Sequence, residues 1–236
     1  MPPNLVLTHN PTQLLGLLNL IGDFLWIVAY VLSIRKGFQD RTYGFPMLCI
    51  ALNLSWEFIY ALIFPFNPSR VIEGLRCAWL VCDFVIAYQL FRYGRRWQTT
   101  PLIRRFFYPI AIAAILSAFV GQLTFHYTFA DQWGASDAYL INLVMSMLFV
   151  WMCLHRPDEK GLSIGAAWAK MLGTGILSVG SCLMITDWLK SSFLVFLFAA
   201  IFVFDVIYIV LLHDNKRQLA VKAQKGTAVP SALAAN

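Results

Sequence analysis

Apolar and polar positions alternate in long blocks along this chain. Seven apolar runs, at residues 13–34, 44–64, 73–91, 106–125, 137–154, 162–185 and 192–212, are separated by short polar connections. Runs of roughly 20 apolar residues predict membrane-spanning helices. Pro65 and Pro68 close the second run, because proline cannot continue a helix without loss of a backbone donor. Residues 213–236 are polar and Ala-rich and predict a flexible tail. The pattern predicts an all-α membrane protein: a seven-transmembrane-helix bundle forming a single integral membrane domain over residues 1–236, without internal repeat.

Polar residues inside these runs are few, and they fall at helical spacing. Asn53, Glu57 and Tyr60 stand at i, i+4 and i+7 in the second run, with Trp56 at the border of their face. Asn19, Asp23, Trp26 and Tyr30 mark one face of the first run. Tyr139, Asn142 and Ser146 share a side of the fifth run. Lys170, Thr174, Ser178 and Ser181 form a stripe in the sixth, where Gly173, Gly175 and Gly180 predict close helix approach. Asp83 and Arg76 lie in the third run, and Asp205 and Tyr208 in the seventh. The plain reading of such stripes is hydrogen bonding between helices. An acid within the bilayer is costly, however, and is kept where it is paired or functional.

Composition fits this picture. Of 236 residues, 59% are hydrophobic and 13% charged, about half the charged share of an ordinary soluble domain. The net charge of +6 does not imply a nucleic-acid partner, because 14 of the 18 Lys and Arg residues fall in the connections between runs one and two, three and four, and five and six, or in the tail. Arg70 and Lys190 are the basic residues of the opposite side. The positive-inside rule then predicts an outside or lumenal N-terminus and a cytosolic C-terminus. The membrane is the endoplasmic reticulum in a eukaryote or the cytoplasmic membrane in a bacterium. The first twelve residues lack a basic segment, so no secretory signal is expected. Five cysteines in apolar runs, odd in number and without a CxxC pair, read as small buried hydrophobes.

Four acids lie within spans: Asp23, Glu57, Asp83 and Asp205. Arg76 and Lys170 lie near span ends and are expected to snorkel to the interface, which leaves an acidic surplus in the bundle. Poor solvation disfavours the charged form of a carboxyl, and a neutral carboxylic acid can act as a general acid. Glu57 and Asp205 are candidates for an acid–base pair, while structural pairing is the favoured reading of Asp23 and Asp83. Counting residues from the cytosolic ends of their spans puts Glu57 and Asp205 about 9 Å apart in depth, facing one cavity. Aromatic residues are spread over most spans, and aromatic faces stabilise cations. No metal motif is present: DDxxD and DxDD clusters, a Walker loop, HExxH and GxSxG are all missing. The seventh run has no lysine, which argues against a retinal Schiff base. An alternative use of intramembrane acids is a proton relay in a small seven-helix transporter.

The run Asp40-Arg41-Thr42-Tyr43-Gly44, the run Asn53-Leu54-Ser55-Trp56-Glu57-Phe58-Ile59-Tyr60, residues 139–149 and Phe204-Asp205-Val206-Ile207-Tyr208 resemble the seven-span membrane terpene cyclases of fungal meroterpenoid and indole-diterpene pathways and their bacterial relatives. The resemblance covers most of the chain and stops near Lys216. It implies an epoxide-bearing prenylated substrate, partitioned into lipid, that is protonated and cyclised through carbocations without cofactor or metal. It implies that Glu57 and Asp205 are the essential acids. Asn53, Trp56, Tyr60, Tyr208, Trp26 and Asn142 are the expected substrate-binding positions.

Overall fold

The computed structural model describes residues 11–65, 70–129, 131, 134–156, 158–183 and 191–227. Pro68, Lys190, residues 1–10, the end of the sixth run beyond Leu183, parts of the 127–136 connection and the last nine residues of the tail lie outside the described residues. Every regular element among those described is a helix. Helix α1 spans Pro11–Gln39, α2 Met47–Phe58, α3 Arg70–Tyr93, α4 Pro101–Arg105, α5 Phe107–Phe129, α6 Ala135–His155, α7 Ile164–Leu183 and α8 Ser192–Thr227.

Six of these, α1, α3, α5, α6, α7 and α8, are long and apolar enough to cross a membrane. The segment expected at 44–64 is shorter. Pro46 caps the start of α2, and Phe64, just before Pro65, leaves the helical region of backbone space (φ −120°, ψ 61°). Between these limits α2 runs into a π turn, Ile59–Ile63, closed by the Phe64 N–H donating to the Ile59 carbonyl at 2.8 Å. Other helices overrun their expected ends. Helix α1 continues to Gln39, so the basic segment after Ile34 is helical rather than a loop, and α8 continues past Leu212 to Thr227. Hydropathy marks where lipid ends, whereas backbone hydrogen bonding carries a helix on into water.

Helix α1 lies along α7, α6 along α8, and α2 against α5 and α3. The contact of α1 with α7 is tight at Gly173. A Cβ there would sit 3.0 Å from the Gly22 carbonyl oxygen and 3.1 Å from the Trp26 ring. Gly175, expected to serve the same approach, faces open space, and Gly180 makes only ordinary contacts. Polar ties join other helices: Gln89 Nε2 donates to the Ile34 carbonyl at 2.8 Å, and Gln122 Nε2 to the Leu52 carbonyl at 2.9 Å. In an apolar medium such bonds fix register and rotation where apolar burial cannot.

The 40–44 motif clamps the end of the bundle where α1 and α6 finish. The Asp40 carboxylate accepts the Gly161 N–H at 2.7 Å and pairs with Lys36 at 2.9 Å. Arg156 donates to the Tyr43 carbonyl at 2.9 Å, with its guanidinium 4.3 Å from the Tyr43 ring centre. These contacts tie the connection after α1 to the connection after α6. All five cysteines are free, but only Cys49 and Cys153 are buried; Cys77 is exposed, and Cys82 and Cys182 are partly covered.

Candidate active site

Glu57 lies on an elongated cavity of about 420 Å³ lined by α1, α2, α3, α6 and α7 and partly open to the outside. Helix α1 contributes the face that its spacing predicts, with Asn19, Asp23, Trp26 and Tyr30 all on the wall. Helix α2 contributes Asn53, Trp56 and Glu57, α3 Arg76 and Trp79, α6 Tyr139 and Asn142, and α7 Thr174 and Ser181. Along α1 the wall runs from Leu15 to Tyr30, about 22 Å of helix. The lining comes from the half of the bundle that holds the starts of α1, α3 and α6 and the end of α7.

At the deep end, Asn53 Nδ2 donates to the Tyr30 hydroxyl at 2.6 Å. Asp83 is buried beside Tyr30 and Glu57 but is not on the wall. Glu57 is only 4% exposed, and its Oε2 has no hydrogen-bond partner among the described residues. Across the cavity Asn142 Nδ2 donates to Thr174 Oγ1 at 3.0 Å, and the Asn142 amide oxygen has no partner among the described residues. Toward the other end, Trp56 Nε1 donates to the Gly134 carbonyl at 3.0 Å, and the Arg76 guanidinium sits 5.8 Å from the Trp56 ring centre. Arg76 also donates to the Tyr60 carbonyl at 3.3 Å. It is a wall residue, not a cation reaching for the interface.

Asp205 is placed differently from the expectation. It is 2% exposed and stands off the cavity wall. Lys170, itself 4% exposed, donates to both of its carboxylate oxygens, at 2.7 and 2.9 Å, and to Ser146 Oγ at 2.8 Å. Lys170 therefore does not snorkel. Its three ammonium protons are taken by three buried acceptors. Its Nζ also lies 5.7 Å from the centre of the Trp26 ring, and Ser146 Oγ donates to the Asn142 carbonyl at 3.0 Å. The ion pair thus sits directly behind two wall residues, Trp26 and Asn142, and does not share a cavity face with Glu57.

Tyr60 and Tyr208 also stay off the wall. The change from α to π geometry after Phe58 takes Tyr60 off the ideal register of Asn53 and Glu57, and its hydroxyl donates to the Asp131 carbonyl at 3.3 Å. Its ring packs on Gly134, whose φ of 68° suits glycine and where a Cβ would come within 2.6 Å of the ring. Tyr208 stacks on Phe149, 5.1 Å between ring centres. Trp79 and Arg76 are wall residues that no stripe announced, although their i, i+3 spacing on α3 carries the signal.

With this geometry in place, the relatives are informative. Residues 2–218 match the family of Pyr4-like transmembrane terpene cyclases. The chain belongs to that family. Family membership and the six long apolar helices support a multi-pass membrane protein. It is 28% identical over 159 residues to terpene cyclase macJ of Penicillium terrestre, covering 65% of this chain and 61% of that relative. It is 25% identical to terpene cyclase pyr4 of Aspergillus fumigatus, covering 82% and 83%. It is 24% identical to terpene cyclase andB of Emericella variicolor, covering 94% and 99%. The match to macJ, like that to the Pyr4-family terpene cyclase mfmH of Annulohypoxylon moriforme, spans about three fifths of the relative's length, 61% and 62%.

Proposed function

We propose that this protein is a membrane terpene cyclase that protonates the terminal epoxide of a prenylated, meroterpenoid-type substrate and guides its cyclisation without a metal. The observation that carries this reading is Glu57: a buried acid with an open carboxyl oxygen, on the wall of an elongated cavity built around Trp26, Trp56 and Trp79. Membership of the cyclase family supports it.

In this mechanism the neutral Glu57 carboxyl gives its proton to the epoxide oxygen. The C–O bond at the more substituted carbon breaks, the oxygen becomes a hydroxyl, and a cation is left on the chain. Alkene electron pairs attack in turn, each forming a C–C bond and passing the cation along, while the tryptophan faces stabilise it. Loss of one proton ends the cascade, so protons balance and the product is an isomer of the substrate. Asn53 and Asn142 orient the chain from opposite walls. Asp205 acts through Lys170 as a positioning residue that holds Trp26 and, by way of Ser146, Asn142.

Met47–Ile63 serves as the seventh crossing. Its 17 residues span about 26 Å, close to the bilayer core thickness of about 30 Å. The charge pattern supports an outside N-terminus and a cytosolic C-terminus, with one integral domain and the end of α8 projecting from it. The reading is tested by incubating membranes that carry the protein with epoxyfarnesylated and epoxygeranylgeranylated aromatic compounds and identifying the products. Cyclised isomers, formed equally well with a chelator present, are expected. Recovery of every candidate unchanged, or a requirement for Mg²⁺, overturns it.

A further inference from the structure

Five arginines crowd the end of the bundle where α3 gives way to α5: Arg92, Arg95, Arg96, Arg104 and Arg105, all exposed. Among the described residues none of them pairs with a carboxylate. Asp40 and Asp158, at the same end, are held by Lys36 and Lys160. The segment that carries these arginines is folded rather than a loose tether. A 3-10 turn, Gly94–Trp97, leads through Gln98 to α4. Arg95 Nε donates to the Arg104 carbonyl at 3.2 Å. Arg104 donates to the Gln98 carbonyl through Nε at 3.2 Å and Nη2 at 2.8 Å. Gln98 Nε2 in turn donates to the Gly94 carbonyl at 3.0 Å and to the Tyr43 hydroxyl at 3.2 Å. A guanidinium has five N–H donors, and these bonds use one on Arg95 and two on Arg104. Beside them Leu102, Ile103 and Phe106 are exposed as well, as are Ile110 and Ile112 on the start of α5. Helix α5 is a candidate membrane span that begins at Phe107. Arg104 and Arg105 therefore stand at the level where lipid head groups meet acyl chains.

We propose that Arg95, Arg104 and Arg105 form a binding site for an anionic phospholipid. Its phosphodiester oxygens accept from the remaining N–H groups of Arg95 and Arg104, whose planar forks match phosphate geometry. Its acyl chains lie along Leu102, Phe106 and the start of α5. A zwitterionic head group would bring a further cation into a patch that already holds five, so charge selects the anionic lipid. The charge pattern assigns this end to the cytosol, where anionic lipids of the facing leaflet attract basic segments. The site lies at the end of α3, whereas the cavity is lined from the start of that helix. The proposal is therefore independent of the cyclase reading.

Native mass spectrometry of the purified full-length protein tests it. The probes are phosphatidylglycerol and phosphatidylcholine with identical acyl chains. The wild type is expected to retain phosphatidylglycerol about tenfold more strongly than phosphatidylcholine. Arg95→Gln/Arg104→Gln removes the preference. Should that variant fold poorly, Arg95→Gln/Arg105→Gln, which spares the turn between Arg104 and Gln98, is expected to give the same loss. Lys216→Gln/Arg217→Gln takes as much charge from the exposed end of α8 and is expected to keep the preference. Equal wild-type retention of the two lipids overturns the proposal. An equal loss of preference in the α8 variant also overturns it, because diffuse charge rather than a site would then be at work. Free glycerol phosphate is expected to leave the bound lipid in place. Its displacement of phosphatidylglycerol at comparable concentration would make the ligand a soluble phosphate and overturn the assignment to lipid.

Discussion

Removing the ammonium of Lys170 should damage this protein more than removing the whole ion pair. Lys170 gives its three protons to Asp205 Oδ1, Asp205 Oδ2 and Ser146 Oγ at 2.7 to 2.9 Å, inside a wall of packed helices. Lys170→Met leaves a buried carboxylate without the cation it pairs with, a change that costs about 3–5 kcal/mol. For a chain of this size each kcal/mol moves the unfolding midpoint by about 2–4 °C, so the expected drop is about 6–20 °C. Asp205→Leu strands the ammonium and should cost a similar amount. Combining the two replaces the pair with apolar side chains of comparable bulk, which is often neutral. Ser146 stays satisfied in the double variant because its hydroxyl donates to the Asn142 carbonyl at 3.0 Å. The double variant should therefore recover most of the loss, a strongly non-additive cycle. Thermal unfolding in detergent, followed by near-ultraviolet circular dichroism, measures it. Single variants within about 1 kcal/mol of wild type, or an additive cycle, would mean that the two charges are not coupled in a buried pair. The same cycle has a functional readout. If Asp205 only positions Trp26 and Asn142, the double variant cyclises within about tenfold of wild type, whereas Asp205→Leu alone loses more. A well-folded double variant with no cyclisation would place Asp205 among the reacting groups.

The tight meeting of α1 and α7 gives a second expectation: Gly173→Val should destabilise by about 1–3 kcal/mol through overpacking, while Gly175→Val, facing open space, should change little in the same unfolding assay. Burial holds the Glu159 carboxyl above the usual carboxylate range, opposed by Lys216, Lys36 and His213. Because its folded value is the higher one, the stability it contributes is present at low pH and is lost as pH rises from its unfolded value through its folded value; Glu159→Gln should therefore flatten the fall in midpoint from acid to neutral pH, and an unchanged slope would contradict this. Reporter fusions after Leu212 and in the connection between α5 and α6 should report opposite sides of the membrane, and same-side signals would refute the seven-crossing topology.

Much of the wall of the cavity was legible from spacing alone. Asn19, Asp23, Trp26 and Tyr30 repeat along one face of α1, and all four line the cavity, as do Asn53, Trp56 and Glu57 on α2. Periodicity reports which residues of one helix share a face; it does not report which helices meet there. For that reason the polar stripe on α7 was visible, but its split was not: Thr174 and Ser181 reach the cavity, while Lys170 turns to Asp205, 35 residues onward. Tyr60 left its expected place because ideal α-spacing was carried across a π turn that hydropathy does not register. Helix ends were the other weak point, since the backbone ladder of α8 runs well beyond the apolar stretch that announced it.

In the proposed mechanism the Glu57 carboxyl delivers the proton that starts cyclisation. Glu57→Gln keeps the size and hydrogen-bonding reach of the side chain and removes its acid. Rates of product formation from an epoxyprenylated substrate, measured on membranes matched for protein level, decide the matter. The variant is expected to accumulate normally in the membrane and to fall in rate by about 10²–10⁴-fold; cyclisation near the wild-type rate would rule out Glu57 as the proton donor.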